Sequence, residues 1–222
     1  IYVPQGWYRI TETLKMKPDT KLIGLHPFGT QFRLDESTAA FSGFGGPKAM
    51  VESSEGGANM LMGIGINTGG YNYRAVGVKW MANADSYMND VKFVGGHGGL
   101  WKPKPGVEEP RGRWNRPARI SSPDNPVAAS GMDLAWDNQY WSLWVTNNGG
   151  GTFKDIWTAS TYATNGFYAN NTSTPGRIYA MSIEHHVRNE VRFSKVSNWK
   201  VYCMQTEEES RESTDCQPIE MD

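Results

Sequence analysis

The fold is decided by two segments, Ser182-Ile183-Glu184-His185-His186 and Gln205-Thr206-Glu207-Glu208-Glu209, together with the apolar, β-prone run between them. Glu184 and Glu207 lie 23 positions apart. In most folds that spacing has no meaning. One turn of a coiled β-solenoid takes roughly 20–25 residues, so in such a fold the two glutamates lie one turn apart on the same face.

Two series of apolar residues repeat with nearly the same period. Their members are Leu143, Phe167 and Val191 in the first series and Phe153, Ile178 and Trp199 in the second. Successive members are 24 residues apart in the first series, and 25 and 21 residues apart in the second. Such interleaved series are typical of a parallel β-helix, in which each turn buries its inward residues against its neighbours. A β-sandwich also has many short strands, but it does not lock two strand series to one period.

Composition agrees with an all-β chain. The 222 residues include 25 Gly, 9 Trp and 10 Tyr, which suits a fold of many short strands and turns. The net charge of −1 argues against a nucleic-acid partner. No apolar run reaches roughly 18 residues, so no membrane span is expected. The chain opens at Ile1 within a strand-like run and has no initiator Met, and we expect it to be part of a longer polypeptide.

Strand-like runs recur between Gly, Asn, Asp and Pro. Strands are predicted at 1–10 (with a tight turn), 21–25, 60–66, 75–81, 91–94, 142–146, 152–157, 166–169, 177–183, 190–193 and 199–204. Together they predict a right-handed parallel β-helix over residues 1–209, interrupted by a loop-like stretch at 28–57 and a long insertion near 95–137. Residues 210–222 are acidic, and we expect them to form an edge of the solenoid or a linker to a further segment.

The long insertion carries Trp101, Trp114 and Arg113. Aromatic faces stack on sugar rings, so we interpret this loop as a wall over a substrate groove. The alternative is a solvent-facing insertion held by a few aromatic anchors.

The two glutamates are the candidate catalytic groups. Adjacent rungs of a parallel sheet lie about 4.8 Å apart, and two carboxylates at that distance do not readily ionise together. A carboxyl group that keeps its proton near neutral pH is what the general acid of a glycosidase requires. The alternative is a solvated acidic strand end.

Metal and thiol chemistry receive less support. His185 and His186 are adjacent on a strand, so they point to opposite faces and do not chelate one ion together. His26 and His97 lie far away in sequence, no zinc-ligand spacing appears, and no cofactor is expected. One histidine is expected to hydrogen-bond a neighbouring carboxylate. Cys203 and Cys216 are the two cysteines, and the sequence leaves open whether they are bridged.

Several motifs resemble known β-helical proteins. The opening run Ile1-Tyr2-Val3-Pro4-Gln5-Gly6-Trp7-Tyr8 is similar to the first coil of pectate-lyase-like β-helices. Residues 141–208 resemble glycoside hydrolase family 55, the β-1,3-glucanases. The motifs that carry this second resemblance are Asn148-Gly149-Gly150-Gly151-Thr152-Phe153-Lys154-Asp155, Glu184-His185-His186-Val187, Val196-Ser197-Asn198-Trp199 and Gln205-Thr206-Glu207.

The resemblance implies an inverting hydrolase in which Glu207 is the general acid and Glu184 its supporting partner. Gln205 and His185 are expected to contact substrate beside them. The insertion residues Trp101, Trp114 and Arg113 are expected to contact it as well, because of the aromatic and arginine content of their loop. The resemblance also implies a second β-helix domain in the same polypeptide. Asn83 and the Asn147-Asn148 turn are candidates for holding the attacking water.

Three functions therefore remain open. The first is a secreted hydrolase, extracellular or periplasmic, that acts on a β-glucan-like polysaccharide. The second is a polysaccharide lyase on the same fold, favoured by the arginines of residues 111–119, because a lyase needs a cation to neutralise a uronate. The third is a non-catalytic module that binds glycans or serves a structural role.

Overall fold

The computed structural model describes residues 1–95, 139–159, 162–186, 189–207 and 219–222. Across these ranges the chain forms strands and turns, and no helix occurs. The strands are β1 (Tyr2–Val3), β2 (Gly6–Arg9), β3 (Leu14–Lys15), β4 (Lys21–Gly24), β5 (Thr30–Arg33), β6 (Lys48–Glu52), β7 (Met60–Met62), β8 (Gly65–Asn67), β9 (Ala75–Trp80), β10 (Tyr87–Phe93), β11 (Gln139–Val145), β12 (Gly151–Thr158), β13 (Ala163–Thr172), β14 (Gly176–Ile178), β15 (Met181–Glu184), β16 (Asn189–Val196), β17 (Trp199–Val201), β18 (Met204–Glu207) and β19 (Ile219–Met221).

The strands stack in parallel as a β-solenoid of about 6 turns. The first face contains β1, β4, β7, β10, β12, β14 and β17, in that order. The second face contains β2, β5, β8, β10, β12, β15 and β18, because β10 and β12 are long enough to run through both faces. The third face contains β3, β6, β9, β11, β13, β16 and β19. The predicted all-β, parallel solenoid is therefore confirmed.

One apolar series runs through every rung of the third face. Its members are Leu14, Val51, Val78, Leu143, Phe167, Val191 and Ile219, each paired in register with the next. Five consecutive members at the centre of the series, from Val51 to Val191, are completely buried. Each rung thus covers the side chain of the rung before it, which is how a solenoid builds a core from short strands. The predicted series through Leu143, Phe167 and Val191 is confirmed.

The second predicted series is correct for its first two members and wrong for the third. Phe153 pairs with Ile178, but Ile178 pairs with Val201, and Trp199 pairs with Gly176. Trp199 nevertheless reaches the core, because its ring lies over the bare backbone of Gly176. A Cβ atom at that glycine would lie 2.2 Å from the indole. The ring then stacks on Phe153, with centroids 5.5 Å apart.

The prediction of a loop-like stretch at 28–57 is also wrong. Strands β5 and β6 lie within it, and both pair with neighbouring rungs. Phe41 between these strands is completely buried. The strands were hidden because they are short and flank a Gly-, Ser- and Pro-rich turn that breaks any regular alternation of apolar and polar residues.

Several predictions fall outside the described residues. These are the insertion near 95–137 beyond Gly95, with Trp101, Trp114 and Arg113, together with His97, Glu208, Glu209 and Cys216. In the acidic C-terminal stretch, Ile219–Met221 pairs with β16 as the last strand of the third face. No helix long and apolar enough to cross a membrane occurs in the part of the chain that the structure describes.

Replacing Phe167 by alanine tests the packing of the core. This completely buried ring lies within 5.6–6.3 Å of the rings of Phe153, Phe193 and Trp199. We expect Phe167→Ala to lower the free energy of unfolding by about 3–5 kcal/mol in urea titrations. Phe44→Ala is the matched control, because Phe44 is 71% exposed, and a change below about 1 kcal/mol is expected there. Equal effects of the two substitutions would contradict the assigned core.

Candidate active site

Glu184 and Glu207 lie on adjacent rungs of the second face. Strands β15 and β18 pair in parallel with Glu184 opposite Glu207 and Ser182 opposite Gln205. Met181 and Ile183 are buried, so the alternation of the strand turns Ser182 and Glu184 outwards. Glu207 and Gln205 are exposed in the same way on β18. The one-turn spacing predicted for the two glutamates is therefore present in the structure.

Polar side chains of the two rungs form a connected network. The Ser182 hydroxyl lies 2.5 Å from Oε1 of Glu184 and 2.7 Å from Oε1 of Gln205. A hydroxyl carries one proton, so it donates to one of these oxygens at a time. The Gln205 amide donates to Oε2 of Glu207 at 3.5 Å. The network links both carboxylates through two neutral groups and restricts the rotamers of all four side chains.

The two histidines after Glu184 lie in the turn that follows β15, not on a strand as predicted, and they have different environments. His185 turns the chain with a φ of 65° and places Nε2 3.8 Å from Oε2 of Glu184, which is ion-pair distance when the imidazole is protonated. Its backbone N–H donates to the Glu207 carbonyl at 3.0 Å, which ties the turn to the next rung. His185 is thus the histidine that contacts a neighbouring carboxylate.

His186 points into the protein. Its Nε2 lies 2.7 Å from the Thr158 hydroxyl and its Nδ1 lies 3.3 Å from the Ala163 carbonyl. Because a carbonyl only accepts, Nδ1 carries the proton and Nε2 accepts from Thr158. Burial, reinforced by the charge of His185, lowers the pKa of His186 to about 3. His186 is therefore a neutral structural group, buried between Thr158 and the Ala163 carbonyl.

Sequence reasoning missed two aromatic residues, Trp157 on the rung before Ser182 and Phe28 in contact with it. Trp157 pairs with Ser182 and so lies one rung before it on the outward row. Phe28 belongs to the loop between β4 and β5, yet its ring centroid is 6.0 Å from that of Trp157. Trp157 fell within a predicted strand, and its outward position follows from the alternation of β12. No sequence signal places Phe28 there.

A second group of ionisable residues surrounds the corner that follows the second face. Tyr162 precedes β13, and burial raises the pKa of its hydroxyl. The Glu36 carboxylate and Tyr71 add to this rise in the Tyr162 pKa, whereas the positive charge of Arg33 opposes it. Sequence reasoning did not select these residues, because they come from three different turns of the solenoid.

The residues proposed to hold water lie elsewhere. Asn83 and the Asn147-Asn148 turn precede β10 and β12, at the corner before the first face, whereas Glu184 is the last residue of β15 on the second face. Their side chains hold the corner together. Asn83 Nδ2 donates to the Gly56 carbonyl at 3.0 Å, and Asn148 Oδ1 accepts from the Ser173 N–H at 3.3 Å. The structure does not bring these asparagines to the glutamate pair.

No metal site accompanies the glutamates. Among the residues with described positions, no three His, Cys, Asp or Glu side chains come close enough to bind one ion. Cys203 is an exposed free thiol between β17 and β18. Comparison with models of known protein families gives no match, and a search of curated proteins also finds no similar chain.

The buried imidazole predicts a pH-dependent stability. The unfolded chain takes up a proton on this histidine below about pH 6.5, whereas folded His186 stays neutral down to about pH 3. Above pH 6.5 the histidine is neutral in both the folded and the unfolded chain, so it adds no pH dependence to the free energy of unfolding. As the pH falls from 6.5 towards 3, only the unfolded chain binds this proton, and the free energy of unfolding decreases by up to about 1.4 kcal/mol per pH unit.

Urea unfolding at several pH values between 7 and 4 measures the slope of the free energy of unfolding against pH. We expect His186→Leu to flatten the slope, even though the substitution also lowers stability at pH 7 by removing the bond to Thr158. His185→Gln is the control, because it leaves His186 buried, and most of the slope should remain. An unchanged slope in His186→Leu would show that another group is responsible.

Proposed function

We propose that this protein is an inverting glycoside hydrolase that acts on a β-glucan-like polysaccharide, with Glu207 as the general acid. The observation that carries the proposal is the register of β15 and β18. It places an exposed glutamate beside a second carboxylate, within a network of neutral hydrogen-bonding groups. A polymeric substrate favours a secreted protein, either extracellular or periplasmic.

The chemistry assigns a separate task to each group. Glu207 transfers its proton to the glycosidic oxygen while the bond from that oxygen to the anomeric carbon breaks, through an oxocarbenium-like transition state. Water attacks the opposite side of the sugar ring and gives a proton to a general base. Return of a proton to Glu207 completes the cycle. Gln205 and His185 flank Glu207 and supply hydrogen bonds to the hydroxyls of the sugar.

Glu184 is a positioning residue in this mechanism. Inverting enzymes hold their acid and base roughly 6.5–9.5 Å apart to leave room for water. Adjacent rungs are only about 4.8 Å apart, which suits a supporting partner better than the base. Glu184 holds Ser182, which contacts Gln205, which donates to Glu207. The base then comes from another part of the chain, and the resemblance to two-domain enzymes suggests a second β-helix as its source.

A polysaccharide lyase is the second candidate, favoured by Arg33 and Tyr162 at one corner. An arginine neutralises a uronate, and a tyrosinate removes the proton next to its carboxylate. Burial raises the pKa of Tyr162, which makes this tyrosine a poor base at neutral pH. The raised pKa of Tyr162 therefore favours the hydrolase over the lyase. An unsaturated product that absorbs in the ultraviolet, formed from a uronate polymer, would support the lyase instead.

The direct test of the acid is Glu207→Gln. The amide keeps the size of the side chain but has no acidic proton, so hydrolysis of laminarin or a related glucan by the full-length protein should fall by roughly 10²–10⁴-fold. Glu55→Gln is the matched control, because Glu55 is an exposed glutamate outside the second face, and it should retain full activity. Wild-type turnover by Glu207→Gln would remove Glu207 from the mechanism.

The activity of Glu184→Gln and the stereochemistry of the product distinguish two roles for Glu184, a positioning residue and a nucleophile. For a positioning role we expect a smaller fall in kcat than in Glu207→Gln, with KM nearly unchanged. Nuclear magnetic resonance of the first product should show an inverted anomeric carbon. Retained configuration, with a loss in Glu184→Gln as large as in Glu207→Gln, would make Glu184 the nucleophile of a retaining enzyme.

A further inference from the structure

One outward row crosses all the strands of the second face. From the first rung to the last, its residues are Trp7, Gln31, Gly65, Lys92, Trp157, Ser182 and Gln205. Neighbours along this row are about 4.8 Å apart. Trp157 is therefore one rung from Ser182 and two from Gln205, the two groups that connect Glu184 with Glu207.

Phe28 lies against Trp157, and the two rings form an aromatic shelf, defined here as Phe28 and Trp157. The loop that carries Phe28 lies against the sheet at Gly65, where a Cβ atom would come within 2.1 Å of the Pro27 carbonyl oxygen. The absence of a side chain at Gly65 thus lets the loop approach. The ring planes of Phe28 and Trp157 meet at 59°. Phe28 is 48% exposed, so its ring presents apolar surface to solvent, and Trp157 is partly buried.

The nearest cation on the row is already neutralised. Lys92 pairs in register with Trp157, and its ammonium group lies 2.7 Å from Asp155 and 3.3 Å from Asp90. It also donates to the Asp155 carbonyl at 3.0 Å, and only 12% of its side chain is exposed. A group bound next to Trp157 therefore meets an ion-paired lysine, which offers little to a carboxylate ligand. This arrangement favours an uncharged ligand.

We propose that the shelf of Phe28 and Trp157 binds an uncharged hexose unit of the glycan, one rung from the network around Glu184 and Glu207. The inference rests on the proposed hydrolase function and adds a binding site for one sugar unit of its substrate. Indole and phenyl rings bury the C–H face of a sugar, while Ser182 and Gln205 supply hydrogen bonds to the next unit. The glycan then crosses the strands and runs along the axis of the solenoid towards Glu207.

The test measures binding separately from turnover. The full chain with Glu207→Gln is titrated with laminarihexaose and with hexagalacturonic acid by calorimetry, alone and combined with Trp157→Ala, Trp157→Phe or Phe28→Ala. We expect the neutral hexasaccharide to bind more tightly than the uronate. Trp157→Ala should weaken its binding about tenfold or more, Phe28→Ala should weaken it less, and Trp157→Phe should recover most of the loss.

Trp7→Ala is the matched control. Trp7 is a 68% exposed tryptophan on the same row, four rungs or about 19 Å from Trp157, and its removal should change affinity less than twofold. Circular dichroism verifies that each variant is folded. Unchanged affinity in folded Trp157→Ala, tighter binding of the uronate, or no binding of either oligosaccharide would overturn the shelf.

The two proposals fail in different ways. If Glu207→Gln loses hydrolysis and Trp157→Ala binds as before, the shelf is not a sugar-binding site, and Glu207 remains the proposed general acid. If Glu207→Gln hydrolyses at the wild-type rate and Trp157→Ala binds more weakly, Glu207 is not the general acid, and the shelf remains the proposed sugar-binding site.

Discussion

In-register parallel stacking is the constraint on which the rest of this structure depends. Each rung donates and accepts backbone hydrogen bonds along the solenoid axis, so each residue lies about 4.8 Å from the residue at the same position on the next rung. Inward positions then form continuous apolar series, such as the one from Leu14 to Ile219. Outward positions form rows of polar and aromatic groups. One register thus fixes the core and the candidate site together, and a slip by one residue would exchange them.

The corners between the faces are where this solenoid carries irregular loops and turns. Corner residues need not repeat from rung to rung, because they lie outside the ladders, and this lets loops of very different length leave the solenoid. The loop before β5 uses this freedom to carry Phe28 across the sheet to Trp157. The turn at His185 uses it to place one imidazole beside Glu184 and the next one inside the protein. A regular interior therefore supports an irregular surface.

Local periodicity explains what the sequence was able to predict. The 24-residue repeat of Leu143, Phe167 and Val191 and the 23-residue spacing of Glu184 and Glu207 both report the length of one turn, and both are present in the structure. The position of Trp199 was predicted wrongly, because the space above Gly176 let its ring reach the core from a different rung position. Phe28 was not predictable, because its contact with Trp157 depends on the path of a loop rather than on spacing. The base of the proposed hydrolase would likewise depend on long-range contacts rather than on spacing.

Disulfide trapping between the two glutamate positions tests the central register most directly. In a chain with Cys203→Ser and Cys216→Ser, the pair Glu184→Cys and Glu207→Cys places two Cα atoms one rung apart, within the span of about 4.4–6.8 Å that a disulfide bridges. The offset pair Glu184→Cys and Gln205→Cys places them about 8 Å apart on the same face. The account predicts rapid cross-linking of the first pair under mild oxidation and little of the second. Cross-linking of the offset pair alone would contradict the stacked carboxylates and the site built on them.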